Sequence, residues 1–289
     1  MFIISAEKFF FWREKQLLKG GDKKSLNLLI DLLGGLSNNH LNFLKIRSEK
    51  NLELKIKLES LEKFWDIHLL TSTPIQYLAG VSYWRDLKLE VSNKVLIPRS
   101  ETELVIEIIS GRFNNKDDQI TFVDLGTGSG AIAIALALHN QNWNGIAIDI
   151  DKNAIEIAKR NFTNNANQSN LKFYVGNWWE PLQNFKREID LAVANPPYIP
   201  KDIYKELPKE VKNFEPQNAL LGGEDGLDHI REIVQYAPSY LKDKGWLLIE
   251  NHFDQSSRVE NLFHENKFTS VEVLKDFSGI GRFTIGRYK

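Results

Sequence analysis

Beyond residue 97 the chain alternates short apolar runs with longer amphipathic stretches. "ITFVDLG", "WNGIAIDI", "LKFYVGNW" and "IDLAVANP" are separated by segments whose apolar residues recur three and four apart. Runs this short and continuously apolar predict strands buried on both faces, and the segments between them predict helices. A helix is predicted over 225–243, a strand in "GWLLIENH", a helix over 254–266, and two closing strands in "SVEVLKDF" and "RFTIGRYK". Strand–helix alternation of this kind predicts an α/β fold: a doubly wound, seven-stranded, mostly parallel sheet whose ligands lie at the strands' carboxyl ends. The linker "SGIG" is too short for a parallel crossover, so the last two strands should pair antiparallel at an edge.

The first eighty residues follow a different rhythm. Leu26, Leu29, Ile30 and Leu33 make one helical face, closed by Gly34-Gly35, and Leu58, Leu61, Phe64, Trp65 and His68 make another. Residues 1–80 are therefore expected to form a small helical domain. Residues 81–97, "VSYWRDLKLEVSNKVLI", alternate around Ser92-Asn93 and predict a β-hairpin connector, leaving 98–289 for the sheet domain.

Composition narrows the chemistry. The 289 residues contain no cysteine, which removes disulfides, thiolate metal sites and cysteine nucleophiles. The six histidines are scattered without metal-ligand spacing, so no metal is expected. No apolar stretch spans a bilayer, and the start "MFIISAEKFFFW" has no basic region before its apolar residues, so a cytoplasmic protein is expected. Net charge is −1, with residues 1–80 at +3, a thin field for a duplex-DNA binder.

"FVDLGTGSGAIAIALA" reads as strand, glycine turn and helix. Gly126, Gly128 and Gly130 permit positive φ and close backbone approach, and free amides at the helix start favour a polar ligand. Such a turn fits a dinucleotide or S-adenosylmethionine. Asp124, two residues before the first glycine, favours the latter: a pyrophosphate would be repelled, whereas a sulfonium is cationic. This carboxylate has two available tasks, tying down the loop amides or facing an ammonium group. "GIAIDID" ends the next strand in carboxylates suited to ribose hydroxyls. Asp151 precedes "KNAIEIAKRN" and reads as its N-cap, leaving Asp149 as the ribose ligand. Trp178, in Asn177-Trp178-Trp179 after the third strand, is the candidate adenine neighbour.

The fourth strand ends in "VANPPYIP". Prolines carry no N–H, and each pushes the residue before it into extended backbone. Asn195-Pro196-Pro197-Tyr198 should therefore be stiff and donor-poor, offering backbone carbonyls beside the Asn195 side-chain oxygen. Two acceptors a few ångströms apart suit a planar NH2. Gripping both hydrogens weakens its conjugation and aims the nitrogen lone pair at a methyl donor. Tyr198 is expected to cover the flat face of the substrate.

With these segments in view the chain resembles the HemK/PrmC family. "PIQYLAGVSYW", "LIPRSETE", "VDLGTGSGAIAIALA", "NPPYIP", "FEPQNALLGGEDGL" and "GRFTIGRY" carry the likeness, from about Pro74 to the C-terminus. The resemblance implies a Rossmann-like methyltransferase that modifies the glutamine of the Gly-Gly-Gln tip of class I peptide chain release factors. By position, Gly126, Thr127, Gly128, Ser129, Gly130, Asp149, Trp178 and Asn195 would bind S-adenosyl-L-methionine. Asn195, Pro196, Pro197 and Tyr198 would bind the glutamine. A monomer acting in the cytoplasm without membrane or nucleic-acid substrate is implied, with the helical domain docking on the release factor. In "LIPRSETE" the family usually has proline where Ser100 stands; Ser100 and Glu103 offer a capping box in its place. Arg99 is a further candidate, and 200–226 is expected to be a mobile flap with Glu215-Pro216 near the substrate. Alternatives built on the same segments are a nucleic-acid amino-methyltransferase acting on an extruded base, and glutamine methylation of a ribosomal protein. An NAD(P)-linked oxidoreductase leaves the Asn-Pro-Pro-Tyr segment unexplained, and a non-catalytic scaffold leaves the intact constellation unexplained.

Overall fold

The structure, a computed structural model, describes residues 1–37, 39–41, 50–115, 117, 119–166 and 170–289. Contacts divide the chain into two units, Met1–Ser82 with Pro208–Phe214, and Tyr83–Leu207 with Glu215–Lys289.

In the first unit, helices span Ala6–Leu18, Lys23–Leu29, Leu58–Thr71 and Ile75–Ala79, with a π-helical turn over Ile30–Gly34. Asp22 caps its helix by accepting from the N–H groups of Lys24 and Ser25. Gly35, at φ 78°, ends the π turn in the left-handed region that glycine adopts without a Cβ penalty. Both apolar faces read from the sequence pack together, with Leu26, Leu29, Ile30, Leu61 and Trp65 fully buried. The unit is not wholly helical: β1 (Phe2–Ser5) pairs antiparallel with β2 (Asn51–Leu54). Leu52 and Leu54 alternate inward, but four residues are too few to register as a period. The stretch 42–49 lies outside the described residues.

β3 (Val81–Trp84) and β4 (Leu87–Glu90) form the anticipated two-stranded ribbon, but its turn falls at Arg85-Asp86, with Arg85 at φ 52°. Trp84, Leu87 and Leu89 are the buried positions, and that alternation places the reversal before Leu87. Ser92-Asn93 makes a separate later turn, in which Ser92 O accepts from the Val95 N–H.

The second unit is built on β5 (Thr121–Leu125), β6 (Asn144–Asp149), β7 (Asn170–Val175), β8 (Ile189–Ala194), β9 (Leu241–Glu250), β10 (Phe268–Lys275) and β11 (Gly281–Tyr288). They form one sheet in the order β10-β11-β9-β8-β5-β6-β7. β9 through β7 run parallel, while β11 pairs antiparallel with both β9 and β10. Successive strand residues feed opposite cores, as a pleat requires. Phe122, Leu191, Val193 and Leu248 pack with the helices Leu104–Arg112 and Ala131–His139. Val123, Leu125, Ala192, Ala194, Leu247 and Ile249 pack with Asp228–Tyr236 and Ser256–Glu265. Helix Ala131–His139 is buried from Ala131 through Ala137, which accounts for its nearly continuous apolar sequence.

The chain enters the sheet at β5, winds outward to β7, and returns to place β8 on the other side of β5. This reversal is a topological switch point. In register, Ile148 and Ala194 both lie opposite Leu125, and Ala194 lies opposite Ile249. Gly126, Asp149, Asn195 and Glu250 therefore emerge side by side at the carboxyl edge.

The capping box anticipated at Ser100 and Glu103 does not form. Ser100 is already helical (φ −61°, ψ −34°), so it lacks the extended backbone of an N-cap, and its hydroxyl bonds Glu101. Glu103 Oε1 instead accepts from the Arg85 N–H. Within the expected flap, Lys201–Glu206 and Lys209–Phe214 are helical, and the second of these belongs with the first unit.

Candidate active site

The glycine turn leaves β5 and opens a cavity of about 210 Å³ within the second unit. Gly126, Gly128 and Gly130 take φ of 79°, 55° and 86°. The N–H groups of Gly126 and Thr127 both donate to Ile148 O, which ties the turn to the neighbouring strand β6. A Cβ at Gly128 would meet nothing within 4 Å, so that position stands open to the cavity.

Two carboxylates hold the turn. Asp124 is buried; its Oδ2 accepts from Thr127 Oγ1 at 2.7 Å and from the Ala133 N–H at 3.2 Å. Of the two tasks open to it, this is the structural one. Its Oδ1 has no hydrogen-bond partner among the described residues, and burial pushes its pKa up to about 7. Asp149 lines the cavity, accepts from the Gly128 N–H at 2.9 Å and from the Asp151 N–H at 2.9 Å, and is raised by burial. Asp151 caps its helix through the Asn153 N–H, as its position implied.

The paired tryptophans separate. Trp179 enters the core, donating Nε1 to Ile233 O and stacking on Tyr240 at 5.0 Å. Trp178 lines the cavity from the left-handed region at φ 41°, a conformation that is costly for an aromatic residue. Its ring lies where a Gly126 Cβ would come within 3.1 Å, and 5.5 Å from the ring of His229.

Asn195 and Pro197 line the same cavity. The peptide bonds of the described residues are all trans. Asn195 Nδ2 donates to Thr102 Oγ1 at 3.2 Å, and the buried Glu250 carboxyl has an Oε2 with no hydrogen-bond partner among the described residues. Pro196 and Tyr198 are not among the lining residues. Tyr198 instead packs on the core, stands 6.2 Å from the His252 ring, and is anchored by its carbonyl, which accepts from Gln255 Nε2 at 2.9 Å. Burial, and then the nearby Glu250, raise its hydroxyl pKa.

Arg99 lines the cavity and pairs with Glu215 at 2.7 Å, while Glu215 Oε2 accepts from the Ile97 N–H. This ion pair pins Pro216, Asn218 and Ala219 to the rim. Thr102 and His229 also line the cavity, and sequence reading passed over both as candidates. Thr102 sits inside "LIPRSETE", a segment valued for its helix start, and His229 carried no local signal at all.

The residues suit a sulfonium nucleoside. The turn carries hydroxyls and no cation, two carboxylates lie behind and beside it, and the buried Trp178 Nε1 has no hydrogen-bond partner among the described residues. A pyrophosphate would meet two acids and no arginine or lysine within the turn.

Comparison with known proteins agrees. A family model described as a methyltransferase domain matches residues 116–279. The chain is 40% identical over 281 residues to the release factor glutamine methyltransferase of Prochlorococcus marinus, covering 97% of this chain and 96% of that protein. It is 34% identical to the enzyme of the same name from Synechocystis sp., covering 98% and 97%. A methyltransferase structure from Pyrococcus furiosus shares the fold at a TM-score of 0.51 and 19% identity, over 70% of this chain and 89% of that one.

Proposed function

The chain belongs to the family of release factor glutamine methyltransferases, and from that premise we propose that Asn195–Tyr198 grips the tip glutamine while the glycine turn, Asp149 and Trp178 hold S-adenosylmethionine. The enzyme is S-adenosylmethionine-dependent and methylates a glutamine of a peptide chain release factor. The glutamine meant is that of the Gly-Gly-Gln tip of class I factors. When bound, the cofactor supplies a methyl group made electrophilic by its sulfonium.

The chain's own residues do the rest. Asp149 offers its carboxylate to vicinal hydroxyls, and Trp178 offers a flat apolar wall. Asn195 Oδ1 and a backbone carbonyl of the proline pair accept the two amide hydrogens of the glutamine. That grip opposes delocalisation of the nitrogen lone pair and fixes its direction. The proton leaves after the nitrogen has become cationic, so no strong base in the chain is required. One observation carries the reading: the glycine turn and Asn195 leave adjacent strands at the same level and line one cavity. Residues 1–80 serve as the docking domain for the release factor, and the protein acts as a cytoplasmic monomer.

Mass spectrometry of release factors incubated with the protein and S-adenosylmethionine tests this reading. One methyl on the tip glutamine is expected. Methyl transfer to nucleic acid or to a ribosomal protein, with none to release factor, would overturn it. Light scattering of the purified protein tests the monomer.

A further inference from the structure

On leaving β8 after Ala194 the chain meets Pro196, Pro197 and Pro200, three residues without an N–H, so sheet hydrogen bonds cannot continue through it. The segment 220–226 and Gln255 hold it instead. The Ile199 N–H donates to Leu220 O at 2.9 Å, the Gly222 N–H to Ile199 O at 2.9 Å, and the Lys201 N–H to Gly223 O at 3.0 Å. Gln255, 2% exposed, donates Nε2 to Tyr198 O at 2.9 Å and to Gly226 O at 3.3 Å. Its Oε1 accepts the His252 N–H at 3.0 Å. We propose that Gly222 and Gln255 are positioning residues that fix the Pro197-Tyr198 backbone before substrate arrives; this rests on the reading of Asn195–Tyr198 given above.

Gly222 acts by leaving room. It is buried, and its φ lies outside the left-handed region, so its backbone conformation alone does not call for glycine. A Cβ there would nevertheless stand 2.7 Å from Pro197 O, 2.7 Å from Gly226 O and 2.8 Å from Tyr198 Cα, all backbone atoms. Ordinary contact begins at 3.4 Å, so Pro197 O would have to yield by about 0.7 Å. Retreat of Gly222 is opposed at both ends. Its N–H holds Ile199, and its carbonyl accepts the Asp228 N–H at the start of helix Asp228–Tyr236. Either movement shifts the residues that follow Asn195. Gln255 acts by hydrogen bonds. It directly precedes helix Ser256–Glu265, and both hydrogens of its amide go to carbonyls of the two segments it joins. Losing Nε2 leaves those carbonyls without that donor and the segments free to part. A displacement of about 1 Å near the reacting atoms costs on the order of a hundredfold in rate, so shifts of this size reach catalysis while the glycine turn stays intact.

The test compares Gly222→Ala, Gln255→Met and the double variant with the wild type, in the full chain. Gly222→Ala should lower kcat on release factor at least thirtyfold and Gln255→Met at least tenfold, with KM and the Kd for S-adenosylhomocysteine within threefold. Both disturb one stretch of backbone, so the double variant should lie within threefold of the slower single. Gly145→Ala separates this effect from lost stability. A Cβ at Gly145, at the other end of β6 from Asp149, would meet Phe122 at 2.5 Å and Leu171 at 2.6 Å. That variant should lower the denaturation midpoint yet keep kcat within threefold. A substrate-free readout is hydrogen exchange of the Ile199 amide. It should be protected in the free wild type and quicken at least tenfold in Gly222→Ala and in Gln255→Met, relative to the amides of β8. If Gly222→Ala does not fold, Gln255→Met decides by the same measurements. Wild-type kcat in either single variant, an equal kcat loss in Gly145→Ala, losses that multiply in the double variant, or unchanged Ile199 exchange would each overturn the proposal. Absence of release-factor methylation by the wild type would instead defeat the underlying reading.

Discussion

The carboxylate of Asp149 at the end of β6 accepts the Gly128 N–H of the glycine turn at 2.9 Å, so the group proposed to meet the ribose also shapes the loop proposed to hold the rest of the cofactor. Asp149→Ala removes both roles. Binding of S-adenosylhomocysteine, measured by calorimetry, is expected to weaken at least tenfold, and Asp149→Asn should fall between the two. Wild-type affinity in the alanine variant would exclude the ribose role.

Asn195→Ala deletes the side-chain acceptor while leaving the glycine turn intact. We expect kcat to fall by about a thousandfold, on the scale of losing an oriented polar contact to the reacting group, while nucleoside affinity changes less than tenfold. Full activity in this variant would remove the proposed grip on the glutamine.

Two glycines of the turn separate folding from binding. Gly126→Ala sets a methyl 3.1 Å from Trp178 at φ 79°, and should destabilise the fold by about 2 kcal/mol or more. Gly128→Ala meets open space, so its fold cost is limited to the positive φ, about 1 kcal/mol. Its methyl nonetheless faces the cavity, and S-adenosylhomocysteine binding should weaken more than stability does. Denaturant midpoints and calorimetry together check this, and equal effects at the two positions would contradict the geometry.

Burial pushes Glu250 up to about 7, opposed by the nearby Thr102 hydroxyl and by attraction to Arg282 and Arg99. A carboxyl raised in the folded state binds its proton more tightly there. Its stabilising contribution is complete below its ordinary value of 4.5 and is lost as pH rises toward about 7. Glu250→Gln should remove roughly 3 kcal/mol of that decline, by the usual conversion of a pKa shift. Relative to the wild type the variant should gain stability between pH 5 and pH 8. Parallel stability curves for the two proteins would contradict the burial of this charge.

Deleting residues 1–75 is expected to spare S-adenosylhomocysteine binding, whose candidate residues all lie in the second unit. KM for release factor should rise at least tenfold. Unchanged kinetics would refute a docking role for this domain.

Much was legible in the chain itself. Buried parallel strands need apolar residues on both faces, so each wrote a short continuous run, and the glycines and prolines that break those runs marked the strand ends that line the cavity. Gly126, Asp149, Trp178 and Asn195, which line one cavity, were legible as candidates because each directly follows or ends such a run. The pairing of Phe2–Ser5 with Asn51–Leu54 was not legible, because a four-residue strand has no period and its partner lies far along the chain. The turn at Arg85 and the unformed box at Ser100 went the same way: local residue preferences yielded to where Trp84 and Leu87 had to be buried and to a backbone already helical at Ser100. Tertiary structure also decided what surrounds Asn195. Thr102 reaches it only because a turn 93 residues upstream folds against the end of β8. Hydrogen bonds across such distances leave no pattern in neighbouring residues, since they depend on which strands pair and not on what any one strand contains.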